Sequence, residues 1–208
     1  MILKTRLDYR TIGNWIQSGS KVLDFGCGDG GLLRYLADER DVEGYGMEIE
    51  DEKVLQCISN GVNVIQGDLE KDSSFFDSGA FDYVILSLTL QAVRHTESVV
   101  LEMLRIGREC IVTFPNFGFW FHRYQVILGN MPVSNQLPFQ WYNTPNVHLF
   151  TVNDFENFCA ENSLHIMDRL VLDSKGNTVN FLPNFLGSLA FYRFKKNESS
   201  DNDYLDFL

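Results

Sequence analysis

Asp24 sits near the end of an apolar run and is followed by Gly26, Cys27, Gly28, Asp29, Gly30 and Gly31. Glu48 and Asp68 close two later apolar runs. Glycines at such a turn allow positive φ and let a ligand approach the backbone. A helix beginning just beyond the turn would offer free N–H groups. Gly26, Gly28 and Gly31 fit the dinucleotide spacing GxGxxG, and Gly26, Gly28 and Gly30 fit the GxGxG of S-adenosylmethionine (SAM) binders. The acids separate the two. A pyrophosphate at this turn would meet the carboxylates of Asp24 and Asp29, whereas an ammonium and a sulfonium would be attracted by them. Glu48 is placed to accept hydrogen bonds from ribose hydroxyls, a device that NAD sites share. Asp68 stands where an adenine amino group would be read, or alternatively caps a helix.

Elements must hold these groups in place. Residues 7–16 have helical spacing of Tyr9, Ile12, Trp15 and Ile16. Strands are predicted over 21–25, 42–48, 62–68, 81–88 and 109–115, and helices over 30–39, 51–59 and 97–107. This alternation predicts a doubly wound, mostly parallel sheet. The regularity fails over 115–150, a stretch rich in Phe, Trp, Asn and Pro after the fifth strand. A helix resumes at 152–162, and 163–173 with 187–196 read as an antiparallel strand pair at the sheet end. The expected architecture is thus an α/β seven-stranded sheet in a single domain over residues 1–195, with an aromatic insert at 115–150 and a mobile acidic tail at 196–208.

Bulk composition narrows the partners. The chain has 208 residues, with 45% hydrophobic and 22% charged, as in an ordinary globular domain. A formal net charge of −11 and the lack of a Lys/Arg cluster argue against nucleic acid or an anionic membrane as partner. Cys27, Cys57, Cys110 and Cys159 are widely spaced and form no CxxC, which reads as reduced thiols in a cytoplasmic protein. The N-terminal residues are charged too early for a signal peptide, and no apolar stretch approaches the ~18 residues of a membrane span. No histidine pair has metal-ligand spacing, so no metal site is expected.

The runs VLDFGCGDG (22–30), GMEIE (46–50), GDLE (67–70) and FDYVILS (81–87) stand in the order of the class I SAM-dependent methyltransferase fold. The resemblance implies that Asp24 and the loop Gly26, Cys27, Gly28 and Gly30 hold the methionine portion, Glu48 the ribose, and Asp68 with Leu69 the adenine. Ile49 and Ser87 complete the cofactor-contacting set. More specifically, the runs LSLTLQAVRHTE, IVTFPNFGFW, MPVSNQLPFQWYNTPNVH and FTVNDF resemble the methionine-biosynthesis protein MetW family, over residues 6–172. Leu88 and Asn143 depart from it, at positions where Gln and Asp are expected. The resemblance implies an association with homoserine O-acyltransferase, and the aromatic segment 114–142 is the expected docking surface.

Methyl transfer needs in-line positioning and, for a hydroxyl acceptor, a base. The sequence after the fourth strand, SLTLQ, lacks the Asn/Asp-Pro-Pro-aromatic turn of nucleobase methyltransferases. Of His95, His122, His148 and His165, His148 is the best candidate base, although a structural histidine in a capping loop is the stronger reading. No catalytic residue is assigned. Two classes remain: a SAM-binding partner or activator of homoserine O-acyltransferase, and a SAM-dependent methyltransferase for a small molecule. A substrate-sized polar cavity would favour the methyltransferase, and a wide exposed apolar patch the partner. An NAD-dependent oxidoreductase is a distant third.

Overall fold

The computed structural model describes residues 2–197, with the side chains of residues 2–6 outside that description. Seven strands form one sheet: β1 (Lys21–Phe25), β2 (Glu43–Glu48), β3 (Asn63–Gln66), β4 (Phe81–Ser87), β5 (Gly107–Pro115), β6 (Leu164–Leu172) and β7 (Leu189–Lys196). Their order is β3-β2-β1-β4-β5-β7-β6. The strands from β3 to β5 pair in parallel. β7 runs antiparallel between β5 and β6, so the pair expected at the sheet end is there, with β6 outermost. Of the expected acidic tail, residues 198–208 lie outside the described residues.

The apolar runs explain the layering. Successive residues of a strand face opposite sides, so a strand covered on both faces is apolar throughout. Val22, Ile85 and Ile111 pack with Ile12 of α1 (Ile2–Trp15) and with Leu33 and Leu36 of α2 (Gly31–Arg40). Their neighbours Leu23, Val84 and Val112 face the other side. They pack there with Val100 and Met103 of α4 (Thr96–Ile106) and Phe155 of α6 (Val152–Glu161). The helix α3 (Asp51–Ser59) adds Cys57 to the first layer. Where α6 meets the sheet, Phe114 lies 5.1 Å from Phe155 and stacks on Tyr192 at 5.8 Å.

The insert holds one short helix that the pattern did not show, α5 (Trp120–Ile127). Only His122 of it is buried, so no 3.6-residue stripe marks it in the sequence. A last short helix, α7 (Pro183–Leu186), precedes β7.

Candidate functional site

The parallel order reverses direction between β1 and β4, the place where open α/β sheets bind ligands at strand C-termini. The turn after β1 is tied to β2, since the Gly26 and Cys27 N–H groups both donate to the Met47 carbonyl, at 2.8 and 3.2 Å. That tie brings Gly28 beside Glu48, whose Oε2 accepts from the Gly28 N–H at 2.9 Å. Gly26 (φ 67°) and Gly28 (φ 60°) adopt the left-handed backbone that glycine allows. A side chain at Gly26 would meet Thr89, whereas one at Gly28 would point into open space. The backbone at Gly28 is therefore approachable by a ligand.

A cleft of about 390 Å³ opens over these strand ends. Gly26, Glu48, Ile49, Asp68 and Leu69, all expected site residues, line it. Cys27, Gly28 and Gly30 belong to the turn after β1 and Asp24 lies within β1 itself, and these four expected site residues are not among those that line it. Ser87 is turned away, with its Oγ 2.9 Å from Thr113 Oγ1. Thr89 lines the cleft two residues further on and donates to the Ser87 carbonyl at 2.9 Å. Lys53, Val93 and Pro145 also line it; Val93 and Pro145 fall in the quoted runs LSLTLQAVRHTE and MPVSNQLPFQWYNTPNVH, but none of the three was expected at the site. Lys53 pairs with Glu50 at 2.7 Å.

The acids differ in their surroundings. Asp24 is 3% exposed, and its Oδ1 has no hydrogen-bond partner among the described residues. Burial, and then the Glu48 charge, pushes its carboxyl up to about 8. Glu48 is also buried, but its Oε1 accepts from the Ile49 and Glu50 N–H groups at 2.8 and 3.0 Å. With Gly28, these bonds occupy three of the roughly four lone-pair positions of a carboxylate, leaving about one for a ligand. Asp68 accepts from Lys71 at 2.8 Å and from the Glu70 N–H at 3.0 Å, so it caps its own turn while facing the cleft. The Lys71 ammonium holds its pKa below the ordinary carboxylate value. Ile49 is 59% exposed at the rim, an apolar surface suited to a flat ring. The Cys27 side chain turns inward, 3.7 Å from Cys57 Sγ, and burial raises its thiol pKa.

These features fit an adenosyl ligand with a cationic tail. A buried, unpaired carboxyl oxygen is costly unless a donor meets it. An ammonium or sulfonium supplies the missing charge, while a pyrophosphate would add to the repulsion.

The histidines lie elsewhere. His148 Nε2 donates to the Arg94 carbonyl at 3.2 Å, and the ring lines a separate cavity of about 590 Å³ beside α4 and α6. It is not among the residues lining the cleft over the strand ends. His122 is fully buried, donates from Nδ1 to the Asn116 carbonyl at 3.1 Å and accepts at Nε2 from Ser134 Oγ at 2.9 Å. Burial lowers its pKa. Among the described residues no group of three His, Cys, Asp or Glu side chains is arranged for a metal ion. No helix among them is long and apolar enough to cross a membrane.

The rings of segment 114–142 differ in exposure, with Phe117 half-buried. Phe114 and Phe119 are buried, at 0% and 6% exposure. Trp120, Phe121, Tyr124, Phe139, Trp141 and Tyr142 are exposed, Trp141 at 72%.

Comparison with known proteins gives the family and the fold. Residues 6–194 match the family described as methionine biosynthesis protein MetW. A bifunctional methionine biosynthesis protein MetXA/MetW of Rhodopirellula baltica is 35% identical over 177 residues, which is 80% of this chain and 28% of that relative. This chain thus spans little more than a quarter of that relative's length. A SAM-dependent methyltransferase structure from Archaeoglobus fulgidus superposes with a TM-score of 0.67, at 16% identity over 94% of this chain and 93% of that one. The [4+2]-cyclase SpnF gives 0.66 at 14% identity, over 92% and 80%. A cyclase among these neighbours shows that the fold does not dictate methyl transfer. The fold is that of the class I methyltransferases, and the chain belongs to the MetW family of methionine biosynthesis proteins.

Proposed function

We propose that this chain binds SAM or S-adenosylhomocysteine in the cleft over β1, β2 and β4, and acts as a partner or activator of homoserine O-acyltransferase in the cytoplasm. The observation that carries the ligand reading is the buried Oδ1 of Asp24, which has no hydrogen-bond partner among the described residues, next to a glycine turn open at Gly28. A bound sulfonium would offer an electrophilic methyl group. Within the chain, Asp24 faces the cationic tail, Glu48 fixes the turn and receives a ribose hydroxyl, and Ile49 with Leu69 flanks the adenine. Titration calorimetry with SAM, S-adenosylhomocysteine and NADH tests this. Heat from NADH with none from the adenosyl-sulfur ligands would refute it.

The partner reading draws on two facts. A relative carries MetXA and MetW in one chain, so the two activities occur at one-to-one stoichiometry there. Residues 115–150 contain no Asp or Glu in a chain with 28 acids, and they expose the aromatic rings named above. Large exposed apolar surface, enriched in aromatics, is what protein interfaces use. Co-purification with the acyltransferase and an acyl-transfer assay, with and without this protein, decide the matter. Absence of both binding and a rate change ends this reading. Methyl transfer to a small molecule is the second reading, favoured by a recess of about 290 Å³, walled by both polar and apolar residues, that adjoins the cleft at Leu88.

A further inference from the structure

Residues 174–187, between β6 and β7, are a second segment without Asp or Glu, and they carry α7. They abut the insert. Gly118, just before α5, packs so closely on Asn184 of α7 that a side chain there would clash. The Arg123 guanidinium of α5 lies 5.6 Å from the centre of the Phe185 ring. The two helices therefore share one surface. Trp120, Tyr124 and Ile127 are exposed at one-turn spacing along α5, and Arg123 sits on the same face. Phe181, Leu182 and Phe185 continue that face, Phe181 at 74% exposure. At about 200 Å² for a large apolar side chain, these six leave on the order of 700 Å² open. The largest apolar patch on a typical monomer is roughly 300–600 Å², and each partner in a stable interface gives ~800 Å².

Two details set this face apart from surplus apolar surface. Leu182 takes φ 45°, a left-handed backbone that glycine or asparagine adopts more easily, yet its side chain is 53% exposed. The fold bears the strain without burying the leucine, as it does at ligand clamps. Arg123 is fixed by its Nε–H bond to the Gly118 carbonyl at 2.6 Å and by the Phe185 ring, and no carboxylate pairs with it among the described residues. A fixed, unpaired guanidinium among exposed rings is the composition of an interface centre.

We propose that α5 and α7 together form the face that docks homoserine O-acyltransferase, which rests on the partner reading above, and that the acyltransferase brings an apolar surface with a carboxylate opposite Arg123. In a chain of net charge −11, an acid-free face is where such a carboxylate meets no repulsion at contact. A second copy of this chain fits less well. Joined face to face, two copies would offer each Arg123 no acid from residues 115–150 or 174–187.

The full chain is titrated with the homoserine O-acyltransferase of the source organism by calorimetry, and the parent should bind. Phe181→Ala and Leu182→Gly should each weaken binding about tenfold or more, and Arg123→Glu about a hundredfold, with Arg123→Lys between. Leu182→Gly should keep the melting temperature near that of the parent, because glycine relieves the left-handed strain, so lost binding is separated from lost fold. Parent-like binding by Phe181→Ala and Leu182→Gly would put α7 outside the contact, and this proposal would fall while the partner reading stands. No binding by the parent would remove both. Sedimentation of the chain alone is the second arm. A dimer that Phe181→Ala dissociates would give the face to a second copy and overturn the proposal.

Discussion

Around the glycine turn, loop N–H groups are met by carboxylates. Gly28, Ile49 and Glu50 donate to Glu48, Gly31 to Asp29, and Asp68 to Asp72. In the insert, the same task falls to neutral side chains. Gly118 and Val152 donate to Asn116, Val133 to Gln125, Leu137 to Ser134, Gln140 to Asn143 and Asn146 to Thr144. Both regions satisfy backbone groups outside regular structure, as burial demands. The first does so with net negative charge, which prepares it for a cation. The second does so without charge, which leaves its exposed rings on a surface that an apolar partner can cover without stranding an acid.

The contrast breaks most sharply at Asn116. This fully buried amide uses all four of its hydrogen-bonding positions, donating to the Asn184 and Gly187 carbonyls at 3.0 and 2.8 Å and accepting from Gly118 and Val152. Asn116→Ala leaves these backbone groups unmet. We expect a loss of about 3–5 kcal/mol in denaturant unfolding. A loss below about 1 kcal/mol would mean that the insert is held by its apolar contacts instead.

Truncating an exposed ring should do the opposite, costing binding and not stability. Trp141→Ala and Trp120→Ala, at 72% and 44% exposure, should each weaken acyltransferase binding by about 2–4 kcal/mol if central to the contact. Circular dichroism and melting should match the parent protein. Unchanged binding by both variants would move the partner surface away from these rings.

Glu48→Ala tests the acidic side. It removes one ligand contact and three internal bonds, so SAM binding should fall by about 1.5–3 kcal/mol, roughly 10- to 100-fold. Hydrogen exchange at the Gly28, Ile49 and Glu50 amides should quicken as well. Weaker binding with unchanged exchange would make Glu48 a ribose contact alone, and faster exchange with unchanged binding a loop clamp alone.

The two regions also differed in legibility. β1 was read residue for residue over 21–25, and β4 to within its last residue, because period-2 burial on two faces leaves an apolar run that ends at a glycine or polar turn. The glycines and acids of the cleft stood out for the same reason, being local in sequence. β5 begins two residues before the expected 109, since Gly107 joins the ladder opposite Phe81. Asn116 gave no such signal: its partners Asn184 and Gly187 are 68 and 71 residues away. α5 hides for another reason. A helix that buries only His122 has no face for the sequence to mark.

The last contrast concerns pH, and it centres on Asp24. Its folded pKa, about 8, lies above the ordinary 3.8, so the folded chain holds a proton that the unfolded chain releases. A raised pKa contributes stability that is present below the unfolded value and is lost as pH rises toward the folded one. Parent stability should therefore fall between pH 4 and 8, at up to about 1.4 kcal/mol per pH unit from this group. Asp24→Asn carries no such charge, so its melting curve should gain on the parent across that window. SAM binding should show the converse sign. A cation beside Asp24 favours the carboxylate, so binding near pH 7 should release up to about one proton, and affinity should rise toward pH 8. Calorimetry in two buffers of different ionisation enthalpy measures the release. His122 pulls the other way at lower pH, since its lowered pKa makes the folded state lose stability as pH drops below the ordinary 6.5. The Asn variant is compared with the parent at each pH, so that background cancels. A constant gap between the two melting curves from pH 5 to 8 would show that Asp24 is ionised in the free protein. The charge awaiting the ligand would then already be balanced from within.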